Sequence, residues 1–256
     1  MRRVAAELND GKPLDAVIHN AGVWSGRAVM PVNIIAPYLL TALLGAPRRL
    51  VYLSSGSHFG GRPSLAGVDW RGEDAGSYSD SMLFVTTLAA AVARLRRRVL
   101  SNAVDPAGCP IKMGGPSAPD DLELGHRTQE WLVASDEPQA LTTGGYWYHH
   151  RQVQPHAAVH DAAFQDRLLR TLTEQTGTAL SSAESCAVWD ALSVHLSAKT
   201  PSRRQDRLSW RTRTPCLDPC GGYGILLDRQ GCQPRRCRRR RLKENRCAWC
   251  CDVRPG

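Results

Sequence analysis

Short apolar strands alternating with helical segments predict an α/β fold, a doubly wound parallel sheet with helices on both faces. Three observations carry this. Leu14–His19, Arg49–Ser54 and Val99–Val104 are short, apolar runs bounded by glycine, proline or serine, as strands buried on both faces are. Segments with apolar residues at helical spacing lie between them, which is the order of strand–helix–strand crossovers. Charge and cysteine both change abruptly near residue 178, so the folded reading is confined to residues 1–177.

The elements follow in order. Leu14-Asp15-Ala16-Val17-Ile18-His19 is a buried strand, with Gly11 and Pro13 before it and Gly22 after it. Val32 to Leu44 is a helix with one apolar face. Arg49–Ser54 is the second strand, and a Gly/Ser/Pro-rich loop runs from it to Gly76. Tyr78 to Arg98 is the longest helix: Ser77 caps it, and Met82, Val85, Leu88, Ala89 and Val92 recur along it. Val99–Val104 is the third strand, stopped by Pro106. Further helices span Asp121–Ser135 and Asp161–Thr176, the second presenting Phe164, Leu168, Leu169 and Leu172 on one face. Gly145–Tyr148 is a short last strand.

The net charge of +9 is that of a nucleic-acid binder, but residues 1–177 carry 17 Lys/Arg and 17 Asp/Glu, so all of it lies in residues 178–256. Eight of the nine cysteines lie there too, and only Cys109 precedes them. This divides the chain into a domain over 1–177 and a basic, Cys/Arg-rich tail over 178–256. The tail contains Arg235-Arg236-Cys237-Arg238-Arg239-Arg240-Arg241 and the pair Cys247/Cys250. It reads as a solvated, disordered charge run rather than a zinc or nucleic-acid site, because its cysteine spacing is irregular. Its composition also resembles out-of-frame translation of GC-rich DNA. No signal peptide is visible, and the apolar run Ile34–Ala46 is too short to span a bilayer. The expected setting is cytoplasmic, with no membrane partner and no metal site.

A parallel sheet binds its ligand beyond the carboxyl ends of its strands, and Asn20, Ser55 and Pro106 each fall just after a predicted strand. His19-Asn20-Ala21-Gly22, then Asn33, then Leu53-Ser54-Ser55-Gly56, then Tyr78-Ser79-Asp80-Ser81-Met82 and Val104-Asp105-Pro106-Ala107 form an ordered series. Taken one by one they are ordinary turn and cap sequences. In this order they resemble the short-chain dehydrogenase/reductase family.

The resemblance implies a Rossmann-like fold and NAD- or NADP-dependent hydride transfer on a small-molecule alcohol or carbonyl substrate, in a chain that could form a homo-oligomer. It implies catalytic roles for three residues. Ser55 orients the substrate oxygen, although Ser54 and Ser57 lie close by; Tyr78 exchanges the proton; Asn33 holds a relay water. Asn20, Ala21, Gly22 and Pro106 would line the cofactor.

The sequence also departs from the family pattern. The tyrosine motif is Tyr-x-x-x-Lys, and Met82 holds the lysine position. A phenol of pKa about 10 is a poor base at neutral pH, and a cation one helical turn away lowers that value. Met82 carries no charge. Ala107 and Ile111 replace the glycine and threonine of the Pro-Gly-x-x-x-Thr segment. The family's Gly-rich phosphate turn has no counterpart, since only Gly11 lies in the 18 residues before His19. The resemblance therefore covers roughly residues 10–177, and the domain is expected to be truncated, incomplete in its N-terminal half and left with an open sheet edge. The expected activity is impaired or lost. The alternative reading is a non-enzymatic binding protein with a basic Cys-rich tail.

Overall fold

The structure, a computed structural model, describes residues 1–11, 13–45, 47–181 and 226–227. Four strands run parallel: β1 (Ala16–His19), β2 (Arg49–Leu53), β3 (Leu100–Asp105) and β4 (Tyr146–Tyr148). β5 (Arg151–Val153) folds back antiparallel on β4, and β6 (Leu226–Leu227) lies antiparallel on β1. The spatial order is β5-β4-β3-β2-β1-β6. Around the sheet stand α1 (Arg2–Asn9), α2 (Ala36–Leu43), α3 (Tyr78–Leu95), α4 (Leu122–Ala134) and α5 (Ala162–Thr176).

Successive strand residues point to opposite faces. Val17, Leu50, Tyr52 and Ala103 therefore join one core with Tyr38 of α2, Leu83, Phe84 and Leu88 of α3, and Phe164, Leu168 and Leu172 of α5. Ala16, Ile18, Val51 and Val104 join a smaller core with Leu132 and Val133 of α4. The sheet is thus covered on both faces, and the predicted α/β, Rossmann-like architecture stands.

The core accommodates its polar groups by pairing them. The Arg49 guanidinium donates to the carbonyls of Leu132 and Ser135 at the end of α4, where the helix dipole favours a cation. Arg96 donates to the Thr41 carbonyl of α2. In α3, the Thr86 and Thr87 hydroxyls bond back to the carbonyls of Met82 and Leu83. α3 is buried continuously from Asp80 to Val92, as the central helix of the larger core must be.

The predicted helix at Val32–Leu44 begins differently. Pro31–Ile35 form a π-helical turn in which the Ala36 N–H reaches the Pro31 carbonyl, five residues back. Pro37 has no N–H to return to Asn33, so the ordinary register is broken there. Three of these elements have no counterpart in the sequence reading: α1, of which only Ala5 is buried, β5, all of whose residues are exposed, and β6. The outer edge of β1, expected to be open, carries β6 with Ala16 opposite Leu227 and Val17 opposite Leu226. The tail's basic run and its cysteine pairs lie outside the described residues. α5 ends where Gly177 takes the left-handed conformation (φ 62°), the usual stop for a helix.

Candidate active site

The loops that follow β1, β2 and β3 meet the N-terminus of α3 at the carboxyl end of the sheet. Ser55 is the cap of a 3-10 turn, Gly56–Gly60, and its side chain accepts from the Ser57 N–H at 3.2 Å. Ser77 caps α3 and accepts from the Asp80 N–H. Tyr78 is therefore the first residue of α3, and its hydroxyl interacts with the Ser55 side chain. Of the neighbouring serines, Ser54 is turned into the core, 4% exposed, with its hydroxyl 2.6 Å from that of Thr86.

Two contacts bring the Ser55 loop onto α3. At Gly61 a β-carbon would stand 2.6 Å from the Ser79 carbonyl and 2.7 Å from the Leu83 β-carbon, so only glycine allows this approach. One residue on, Arg62 donates through its backbone N–H and its guanidinium to the buried Asp80 carboxylate.

A buried histidine fixes the same loop from the other side. His58 is fully buried and accepts the His156 N–H at Nε2, so Nδ1 carries the proton and donates to the Ser55 carbonyl at 2.8 Å. Burial lowers its pKa, which keeps the ring neutral and the arrangement intact.

Asn33 is 2% exposed in the π-helical turn. Its Oδ1 accepts from the Val23 N–H, and its Nδ2 donates to the Val23 carbonyl and the Ser81 hydroxyl, each at about 3 Å. It ties the Ala21–Val23 loop to α3 one turn below Tyr78. Asn20, Ala21 and Gly22 follow β1, and a β-carbon at Gly22 would meet Asn33 Oδ1 and the Met113 methyl at ordinary contact distances of 3.7 and 3.9 Å.

Met82 lies one turn along α3 from Tyr78 and is 4% exposed, packed into the larger core. A charge does act on Tyr78, but it is negative. Burial and the Asp105 carboxylate both raise the phenol's pKa, while the Ser55 contact lowers it, and the net direction is upward. Asp105 ends β3. It accepts from the Ala107 N–H at 3.0 Å and from the Tyr146 hydroxyl at 3.1 Å, and Pro106 follows it into a loop held by Cys109, whose thiol donates to the Pro106 carbonyl. Ala107 stands at φ 69°, a conformation that favours glycine.

Two large apolar side chains converge on Tyr78. Trp24 lies with its ring centroid 4.4 Å away, the two planes tilted by 40°. Met113 brings its sulfur to 3.9 Å from the Tyr78 hydroxyl, which donates to it.

The structure thus gathers Asn33, Ser55, Tyr78, Pro106 and the Asn20–Gly22 loop at one end of the sheet. The sequence reading did not assign Asp105, His58, Trp24 or Met113. Asp105 sits at the carboxyl end of a predicted strand and was legible by position. The other three lie in loops, where no periodicity marks them. Among the described residues no group of three metal-ligating side chains forms, and no helix is long and apolar enough to cross a membrane.

No protein-family model matches the chain, but whole-chain comparisons find relatives. It is 33% identical over 196 residues to the short-chain dehydrogenase chry4 of Gibberella zeae, covering 71% of this chain and 76% of that protein. It is 33% identical over 195 residues to the short-chain dehydrogenase chyC of Penicillium rubens, covering 70% and 75%. An uncharacterized oxidoreductase of Emericella nidulans is 31% identical over 191 residues, covering 69% and 73%. The crystal structure of an uncharacterized protein from Mycobacterium paratuberculosis superimposes with a TM-score of 0.54 at 20% identity, over 70% of this chain and 72% of that one, which shows the fold. With about a third of the aligned residues identical over three quarters of these dehydrogenases, and the ordered segments on the matching fold, the chain belongs to the short-chain dehydrogenase/reductase family.

Proposed function

We propose that this chain carries the substrate half of a nicotinamide-dependent alcohol/carbonyl oxidoreductase site, with the acid–base and cofactor half weakened to the point of little or no turnover. The observation that carries the reading is the environment of Tyr78. Its hydroxyl stands with Ser55 at the carboxyl end of the sheet, while the residue one turn away is a buried methionine and the charge acting on it is Asp105.

Ser55 and Tyr78 can together hold one carbonyl or hydroxyl oxygen, the serine by orienting it and the phenol by donating a hydrogen bond. A phenol whose pKa is raised gives up its proton less readily near neutrality, and general acid–base catalysis contributes about 10²–10⁴-fold when its pKa is well placed. Asn33 is engaged by Val23 and Ser81, which supports a role in holding the loop beside Tyr78.

The residues on the cofactor side do not fit a nicotinamide dinucleotide. Met82 offers no donor to a ribose, and Ile111 offers no hydroxyl. Asn20, Ala21, Gly22 and Pro106 are proposed to line what remains of that pocket. The test is turnover of alcohols and ketones by the purified 256-residue chain with NADH and NADPH supplied. Rates within a few-fold of the no-enzyme control are expected; robust turnover with either cofactor would overturn the reading.

A further inference from the structure

We propose that His58 is an acid-sensitive latch: as a neutral ring it fastens the Ser55 turn to the segment ahead of α5, and on taking up a proton it lets that segment go. The latch belongs to the scaffold around Ser55, so it stands or falls independently of turnover.

His58 is fully buried, and both of its ring nitrogens are committed to backbone. Nδ1–H donates to the Ser55 carbonyl at 2.8 Å, and that carbonyl also accepts the His58 backbone N–H at 3.0 Å. Nε2 accepts the N–H of His156, 98 residues further along the chain, at 3.1 Å. His156 in turn takes the Ala158 N–H on its own Nδ1. It thereby caps the 3-10 turn Ala157–His160, whose Val159 is buried in the larger core. One neutral ring thus joins the loop after β2 to the connection between β5 and α5. Phe59 and Tyr146 pack against it, with ring centroids 4.1 and 4.5 Å away.

The two ring bonds respond differently to a proton. An imidazolium carries N–H on both nitrogens, so the Nδ1 bond to Ser55 survives. At Nε2 an acceptor becomes a donor facing the His156 N–H, and that bond is lost. The buried charge also costs desolvation, which opening to water relieves. The groups around the ring do not cancel this cost. Asp105 of β3 favours the imidazolium, but its carboxylate already accepts from Tyr146 of β4 and from the Ala107 N–H. His156 opposes it. α3, packed on the same turn, brings Tyr78 against Ser55, and its Asp80 is already paired with Arg62. Burial therefore prevails, and the ring's pKa lies below its ordinary value. The closed form resists the proton, while the open form accepts it near the ordinary value of about 6.5. The latch is shut above about pH 6.5 and opens progressively as the pH falls below that.

The test uses the full chain. At pH 7 the imidazole nitrogen shifts should show His58 protonated on Nδ1 alone. Amide hydrogen exchange at His156 is then followed at pH 7 and pH 5 in the wild type and in His58→Gln, whose side-chain oxygen replaces Nε2 as acceptor and does not titrate. After correction for intrinsic rates, protection at His156 should fall about 10- to 25-fold more in the wild type than in the variant. That is the range for a ring of ordinary pKa about 6.5 that takes its proton only when open. The β2 and β3 amides should stay better protected than His156 at pH 5, as a local opening requires. His58→Phe keeps a ring and offers no acceptor, so its His156 amide should be weakly protected at both pH values. Equal falls in the wild type and His58→Gln overturn the latch. So does a His156 amide that exchanges no faster than the strands at pH 5, or a His58 ring protonated on Nε2 at pH 7. The nitrogen shifts need no variant and decide the tautomer even where neither variant folds. None of these readouts involves turnover, so failure here leaves the oxidoreductase reading untouched.

Discussion

Tyr78 keeps the family's tyrosine position in surroundings that favour its protonated form. The hydroxyl meets Ser55, but burial and Asp105 hold its pKa above the ordinary value. Asp105→Asn removes the negative charge that opposes the phenolate, so Tyr78 should ionise at lower pH in that variant. Ultraviolet difference titration against Tyr78→Phe measures this; no downward shift would mean that Asp105 does not act on the phenol. Met82→Lys should move Tyr78 in the same direction, since a cation one turn away favours the phenolate. It also places an ammonium in a buried apolar site, at a cost of several kcal/mol, read as a loss in denaturant midpoint. Alone it should restore no dehydrogenase activity on the proposed reading, because Ile111 and the Asp105 charge are unchanged. Substantial activity in that single variant would rank these defects wrongly.

The placement of the candidate residues was partly legible. The order of Asn20, Asn33, Ser55 and Tyr78 pointed to the family and to the cleft. The choice among Ser54, Ser55 and Ser57 was not legible, because it depends on where α3 lies. Ser54 is drawn into the core by Thr86, and Ser55 is left facing Tyr78.

At the scale of elements, the site depends on how closely the Ser55 loop approaches α3. Gly61→Ala sets a methyl against the Ser79 carbonyl and Leu83, so the loop must shift. Overpacking of this kind costs about 1–3 kcal/mol, and the Ser55–Tyr78 pair should separate, so that the Tyr78 pKa rises further as the Ser55 contact is lost. Unchanged stability and an unchanged Tyr78 titration would show that the approach is not tight. Ala107→Gly acts in the opposite sense. Relief of φ 69° is worth about 1–2 kcal/mol, offset by about 0.5–1 kcal/mol of extra unfolded-chain entropy. A small net gain in thermal stability is expected, and a clear loss would contradict it. β1 to β4 and α2 to α5 were legible because apolar residues dominate the faces they bury. α1 and β5 were not, because exposed elements leave little apolar pattern. The π-helical turn was not legible either: Pro37 signals a helix start as readily as a slipped register.

For the whole molecule, acid is the expected weakness. His19 is buried against Thr41 and the Tyr52 ring, and desolvation lowers its pKa to about 3. The unfolded chain takes up a proton near the ordinary value of about 6.5, while the folded chain resists until about 3. This contribution to stability is therefore present above about pH 6.5 and is lost as the pH falls towards 3, at about 1.4 kcal/mol per pH unit. Buried His58 is shifted in the same direction. Denaturant unfolding at pH 7 and pH 5 should show a loss about 2 kcal/mol larger in the wild type than in His19→Gln; equal losses would place His19 in contact with water.

The fold class was legible as a whole because strand order and two-sided burial follow from alternation alone. The pairing of β6 with β1 was not, because nothing in the composition around Leu226 and Leu227 distinguishes them as a strand. What unites the scales is a family fold that keeps the serine and tyrosine together, with Met82 buried and Asp105 the charge acting on the phenol. The most direct test is a fluorescence titration of NADPH with the 256-residue chain. A linear signal that does not saturate is expected. Tight, saturable binding accompanied by ketone reduction would contradict it.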